Sequence, residues 1–257
     1  SAGGFCEHAD GFFKNAAKNN QKTDRINAGG GRIRAIYLPT ENLKLDFNVN
    51  YEYSDQGGYP YFYTGKVNEE EKKNDPRQDK IGLISYNDES SYYRRLLNAS
   101  ANIEYQTQHF TLSAVTGYQH LKDRMLLDQD FTEKDIFTLN QQQRLNTLSE
   151  EIVMKSKPGG NWQWANGIFG FYQWLNTDGP VEFKKDGVTE VIENNANNNF
   201  PNSPAAPTMK LTINNPTLNV SGNFDTPTFS AAIYHQSTYN NLLIDGLSIT
   251  AGLRLDY

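Results

Sequence analysis

Residues 43–53 read Leu-Lys-Leu-Asp-Phe-Asn-Val-Asn-Tyr-Glu-Tyr. Leu43, Leu45, Phe47, Val49, Tyr51 and Tyr53 alternate with Lys44, Asp46, Asn48, Asn50 and Glu52. A strand sends successive side chains to opposite faces, so this segment predicts a strand with one apolar and one polar face. The chain closes on the same design. Leu247, Ile249, Ala251, Leu253, Leu255 and Tyr257 alternate with Ser248, Thr250, Gly252, Arg254 and Asp256. A soluble sandwich also has one wet face. The length of the alternation and the rhythm of the connections must distinguish the two.

About nine strands are predicted from this period. They fall at Ser1–His8, Arg25–Leu38, Leu43–Tyr53, Tyr92–Gln106, His109–Leu121, Gln143–Ser156, Trp162–Leu175, Thr228–Tyr239 and Leu247–Tyr257. Short turns at Pro39–Asn42, Thr107–Gln108, Pro158–Asn161 and Asn240–Gly246 alternate with long connections. The long ones are Ala9–Asp24, Ser54–Ser91, Lys122–Gln142 and Asn176–Pro227. Compact soluble domains seldom hold several connections of that length. Outer-membrane barrels pair short turns at one end with long loops at the other. The expected class is therefore all-β, an antiparallel up-and-down transmembrane β-barrel, in part.

Composition agrees with this class. The 257 residues are 37% hydrophobic, with a mean hydropathy of -0.71. No stretch reaches the roughly 18–20 apolar residues of a membrane helix. Barrels hide their apolar surface in alternation, so the average does not exclude them. The net charge of -6 gives no support to a nucleic-acid partner. The single cysteine, Cys6, forms no internal disulfide and reads as a small, partly buried hydrophobe. The charge run Lys66–Lys80 and the Asn- and Pro-rich stretch Glu193–Pro207 read as solvated, mobile loops.

Motifs for chemistry are sparse. His8, His109, His120 and His235 fall on separate predicted elements without metal-ligand spacing. His120 with Ser113 or Asp123 is the only material for a nucleophile and base, so no enzyme, cofactor or metal is expected. The triple glycine Gly29–Gly31 lacks the context of a phosphate cradle and reads as a thinned strand or a bulge. Two features suit binding. One is the polar strand face, where Arg32, Arg34, Lys44, Asp46, Asn48, Asn50, Glu52, Asn102, Glu104 and Arg254 are expected to face a barrel lumen. An ordinary solvated sheet face is the plainer account. The other is Asp55–Tyr63, where Tyr59, Tyr61 and Tyr63 beside Gly and Pro form a stiff aromatic surface for an extracellular ligand. Loop packing is the plainer account there.

At this point the residues resemble a family. Leu38-Pro39-Thr40-Glu41-Asn42-Leu43-Lys44-Leu45-Asp46 is similar to a hairpin of TonB-dependent receptors. Asp55–Tyr61 is similar to a segment in receptors of the Bacteroides group. Asn161–Phe171, with its Trp-Gln-Trp, and Ala232–Tyr239 with Leu247–Arg254 resemble two further strands and hairpins of that family. The resemblance implies an outer-membrane barrel of a Gram-negative bacterium that imports a scarce nutrient of the iron-siderophore, cobalamin or glycan class. It implies outer-membrane lipid, a plug domain, TonB acting through the plug, and a small-molecule or glycan ligand as partners. No plug and too few strands for such a barrel are present, so residues 1–257 are expected to form one partial barrel domain of a longer receptor. A soluble, secreted β-rich binding or adhesion module is the alternative. In that case Leu43, Leu45, Phe47, Leu97, Ile103, Leu253 and Leu255 would be buried between two sheets rather than line one outer surface.

Overall fold

The computed structural model describes residues 1–66, 68, 70–71, 74–199 and 210–257. Parts of the charge run at 66–80 and of the Asn- and Pro-rich stretch at 193–207 lie outside these residues, and with them part of the mobile-loop expectation. Nine long strands follow one another: β1 (Ala2–Ala9), β2 (Ile26–Thr40), β3 (Leu43–Gln56), β4 (Ser91–Gln106) and β5 (Phe110–Asp128). After them come β6 (Phe137–Ser156), β7 (Trp162–Asp178), β8 (Thr228–Asn240) and β9 (Ser248–Asp256). Each pairs antiparallel with its sequence neighbour, so the sheet is a meander with β1 and β9 at its edges. Three short strands extend it to twelve. Val181–Phe183 pairs with β6 and with Leu218–Val220, and Asn223–Asp225 pairs with β7.

Register turns the alternation of single strands into two continuous faces. Tyr37, Leu45, Ile103, Ala114, Ile152, Ile168, Ile233 and Leu255 are paired in turn from β2 to β9. The neighbouring row of the opposite face runs Lys44, Glu104, Ser113, Val153, Gly167, Tyr234, Arg254 from β3 to β9. A one-residue slip anywhere would exchange the faces. On β7, Ile168 and Tyr172 fall on the apolar face, while Phe169 and Phe171 fall on the other.

Among the described residues nothing covers the apolar face. Phe47 is 45% exposed, Ile168 51% and Leu253 69%. The buried hydrophobic residues are Ile84, Tyr86, Val153, Val188 and Ala232, and Ile84, Tyr86 and Val188 belong to connections. A sandwich would bury this face against a second sheet. This structure is instead a single curved-wall sheet, a partial barrel.

Three expectations change in detail. β5 and β6 run on to Asp128 and Phe137, so the connection expected over Lys122–Gln142 shrinks to residues 129–136. Pro39 lies inside β2, where the register with β3 shifts between Tyr37 and Thr40; a bulge tolerates the missing N–H. Cys6 is exposed, because β1 is an edge strand with no cover. The triple glycine does thin the sheet: a Cβ on Gly30 would lie 2.7 Å from the Phe5 ring, which occupies that space.

Candidate functional site

The polar face is built first. All ten residues expected on it share it by register. Arg32 pairs with Asn50, Arg34 with Asn48, Lys44 with Glu104 and Asp46 with Asn102; Glu52 keeps the same parity on β3, and Arg254 ends the row that begins at Lys44. Several are tied together. Arg34 donates from Nε to Asp46 Oδ1 at 2.8 Å and from Nη2 to Oδ2 at 2.5 Å. This two-pronged geometry is the one guanidinium favours for a carboxylate. Arg254 likewise reaches Asp256. Single-strand reading missed Arg94, which bonds Glu52, and Glu151, which accepts from Tyr234 Oη at 2.8 Å. Their partners lie on other strands, and only the register brings them together.

The apolar face sorts its aromatics toward its two ends. Tyr37, Tyr105, Phe110, Trp162 and Tyr239 lie toward the short turns, and Tyr51, Tyr118, Tyr172 and Trp174 toward the long connections. Mainly aliphatic and small residues fill the space between, with the hydrogen-bonded pair Asn166 and His235 among them. One acid interrupts them: Glu150, which accepts from Thr116 Oγ1 on β5. His120 also lies on this face, 2.8 Å from Asn146 Oδ1, while Ser113 and Asp123 have the opposite parity on the same strand. No nucleophile–base pair forms among them.

Beyond the wall, the long connections pack on one another. Asn15 is fully buried; its Nδ2 donates to Tyr86 O at 2.9 Å and its Oδ1 accepts from Ala17 N at 3.0 Å. Ala16 N donates to Ile84 O, which joins the first connection to the second. A Cβ on Gly57 would stand 2.1 Å from Thr23 O, so only glycine permits that approach. The second and third connections meet through Tyr61, edge-on to Phe131 at 4.8 Å, and through Lys80, 2.8 Å from Glu133. Lys184 N donates to Ile136 O, adding the fourth.

The three tyrosines divide their work. Tyr59 and Tyr61 stack with centroids 6.0 Å apart, and Tyr61 is spent on Phe131. Loop packing accounts for these two. Tyr63 instead lines a cavity of about 390 Å³ with Arg77, Lys80, Ser85, Phe131 and Glu133. Its hydroxyl donates to Asp75 Oδ2 at 2.6 Å, and the Arg77 guanidinium lies 3.9 Å from its ring centre. The Tyr63 hydroxyl holds the Asp75 carboxyl below its ordinary range, aided by the Arg77 amide. Lys80 and then Ser85 do the same for Glu133. The cavity thus presents one carboxylate, Glu133, three cations, Arg77, Lys80 and Lys134, and a wall of Tyr63, Phe131, Leu83 and Ile136, a size and mixture suited to a small amphipathic ligand.

Asp128 anchors the cap to the wall. It closes β5, eighteen residues from Phe110, and is fully buried. Its carboxylate accepts from Asp88 N at 3.0 Å and Phe131 N at 3.2 Å. Burial pushes its carboxyl up to about 6 against those bonds, and burial also raises Asp88.

No protein-family model and no curated protein matches the chain. Among solved structures, the ferric yersiniabactin uptake receptor FyuA from Yersinia pestis is similar, with a TM-score of 0.63 at 12% identity. The match covers 98% of this chain and 37% of that one. The RagAB peptide transporter aligns at a TM-score of 0.46 and 11% identity, over 91% of this chain and 28% of that one. The unliganded ferric citrate transporter FecA aligns at 0.43 and 10%, over 91% and 33%. The last two are too distant to support an argument. The first establishes the fold: this chain has the architecture of a stretch of that receptor's wall and spans little more than a third of its length.

Proposed function

We propose that this chain is part of the barrel of a TonB-dependent receptor in a Gram-negative outer membrane, and that the whole protein imports a scarce nutrient. The observation behind this reading is the uncovered apolar face, continuous over eight strands and banded by aromatics at both ends. In water such a face would drive aggregation; against lipid it is the wall of a barrel. The likeness to an uptake receptor supports the same conclusion. The polar face then lines the lumen and the packed connections lie outside the cell. The residues assigned to contact ligand are Tyr63, Arg77 and Lys80 in the cap, with Tyr59 and Tyr61 holding the loop, and the charged lumen face below them. Plug domain, TonB and the rest of the wall belong to the longer protein. Residues 1–257 form one partial barrel domain of it, and no catalytic role is assigned. The Asp55–Tyr61 segment supports a receptor of the Bacteroides-group type, and the ligand is of the siderophore, cobalamin or glycan class.

The test uses the intact protein. Extracted in detergent, it should run as a heat-modifiable β-rich species, and a deletion strain should lose uptake of one nutrient. A protein that stays monomeric in water without detergent overturns the reading and restores the soluble module.

A further inference from the structure

Just past the aromatics at the long-connection end, one row of the apolar face changes character. Its residues are paired in turn: Tyr53, Arg95, Lys122, Arg144 and Asn176. Three cations therefore stand side by side on adjacent strands, roughly 5 Å apart at the backbone. All three are exposed. Like charges placed directly opposite one another disfavour the sheet. A wall would not place three in line without a counter-charge.

No carboxylate among the described residues supplies it. Among the described residues none of the three enters an ion pair; Arg25 pairs with Asp55, Arg34 with Asp46 and Arg254 with Asp256, while the exposed Arg32 and Arg124 are likewise without one. Arg95 touches only the Tyr93 ring, at 5.2 Å. The acids nearest in register are Asp225, which accepts from Asn176 at the end of this row, and Asp55 and Asp178 in the next. Asp55 is engaged by Arg25. Arg124, in that next row, donates to Asn140. Asp123 and Glu52 face the other way.

Depth supplies the rest. Lys122 lies twelve residues beyond Phe110 on β5. At ~3.3 Å per residue and a tilt of about 40°, that is about 30 Å of height. The apolar band of an outer-membrane barrel is about 25 Å tall. The row therefore sits at headgroup level on the lipid side of the outward-facing leaflet.

We propose that Arg95, Lys122 and Arg144 form a site for the phosphate groups of an outer-leaflet glycolipid. The proposal rests on the receptor-wall reading above, because it needs this face to meet lipid. Guanidinium groups match phosphate oxygens in two-pronged hydrogen bonds, and the lysine between them adds a point charge. Arginine and lysine carry aliphatic stems that suit a position where acyl chains would run beneath the headgroup. A bound glycolipid neutralises the repulsion that the strand pairing imposes.

The experiment takes the intact protein in phosphatidylcholine vesicles doped with bisphosphorylated lipid A, or with the same lipid after removal of its phosphates. Lipid retained after extraction is counted by native mass spectrometry. The wild type should retain the phosphorylated form on the order of 10–100-fold better. The triple variant Arg95→Gln, Lys122→Gln, Arg144→Gln should lose that preference. A control with the same loss of charge in the cap, Lys14→Gln, Lys18→Gln, Lys22→Gln, should keep it. Equal losses in the two variants would mean bulk electrostatic attraction only and would overturn the site. So would a wild type indifferent to phosphate, a comparison that does not depend on any variant folding. Heat-modifiability of the wild type separates the two claims: its absence sinks the wall, whereas its presence without phosphate preference sinks only this site.

Discussion

The wall and the cap of this molecule are stabilised in different ways. Along the nine strands, the buried apolar side chains are only Val153 and Ala232. In the cap, Ile84, Tyr86 and Val188 are buried, and so are the polar Asn15, Asp75 and Ser85. The wall satisfies its backbone through the ladder and leaves its apolar face to the surroundings, as a chain in lipid must. The cap does what a water-soluble domain does, burying a few groups and bonding most of the polar ones, with Thr23 Oγ1 and Asn87 Oδ1 as exceptions. Solvent on each side, rather than composition, decides which pattern a segment needs.

The comparison breaks most sharply at Leu45 and Asn48, which lie on the same strand with opposite parity. Leu45→Arg should cost about 2–4 kcal/mol if that face meets lipid near mid-depth. Asn48→Arg should cost under about 1 kcal/mol, since water and the carboxylates of Asp46 and Glu104 face it. Folding free energy of the intact protein in liposomes measures both. Equal costs would show that the two faces see the same solvent.

This difference also explains what the amino-acid sequence revealed. The wall was readable because period-2 alternation is local: Leu43–Tyr53 declares both faces without reference to any partner. The reading faltered where the strands leave the apolar band. Asn140, Gln141, Gln142 and Gln143 are polar on both faces of β6, so its first six residues looked like loop. The cap was not readable, because Asn15 meets Tyr86 and Tyr61 meets Phe131 across long separations that no local pattern encodes. The run Tyr59–Tyr63 was visible as an aromatic cluster. That only Tyr63 reaches the cavity depends on Phe131 and Arg77.

Asn15 tests whether the cap is a cooperative unit. Asn15→Ala strips the buried Tyr86 carbonyl and the Ala17 amide of their partner. An unsatisfied buried group costs about 1–3 kcal/mol. Hydrogen exchange should quicken at Ala16, which bonds Ile84, and in the first two connections, while β3–β7 amides keep their protection. A loss spread over the wall would mean that cap and wall fold as one.

The cap should also respond to pH through Asp128. Its carboxyl titrates near 6 when folded, above the ordinary aspartate value, so between those points the folded cap holds the extra proton. Stability from this group is complete below about pH 4 and declines as pH rises through 6. The rise from the ordinary value to about 6 bounds the change at about 3 kcal/mol. Exchange at the Asp88 and Phe131 amides should therefore be slower at pH 5 than at pH 7.5, after correction for the intrinsic rate. Asp128→Asn should flatten the difference. A cap that tightens as pH rises would contradict burial as the dominant influence on this group.

The smallest effect belongs to the polar face, and it asks how wet that face is. Arg34 and Asp46 form an ion pair with ideal geometry, but the arginine side chain is 49% exposed. The Asp46 side chain is only 12% exposed, but a pair open to water on its cationic side is screened and contributes little. A double-mutant cycle with Arg34→Gln and Asp46→Asn should give a small coupling that fades as salt approaches about 1 M. Run on the intact protein, the same cycle reports on the surroundings of the polar face. If a plug presses against β2 and β3 and excludes water there, the coupling grows and loses its salt dependence. A large, salt-insensitive coupling would then make this patch part of a dry interface, and the contrast between a wet lumen face and a lipid-facing one would no longer hold at this end of the sheet.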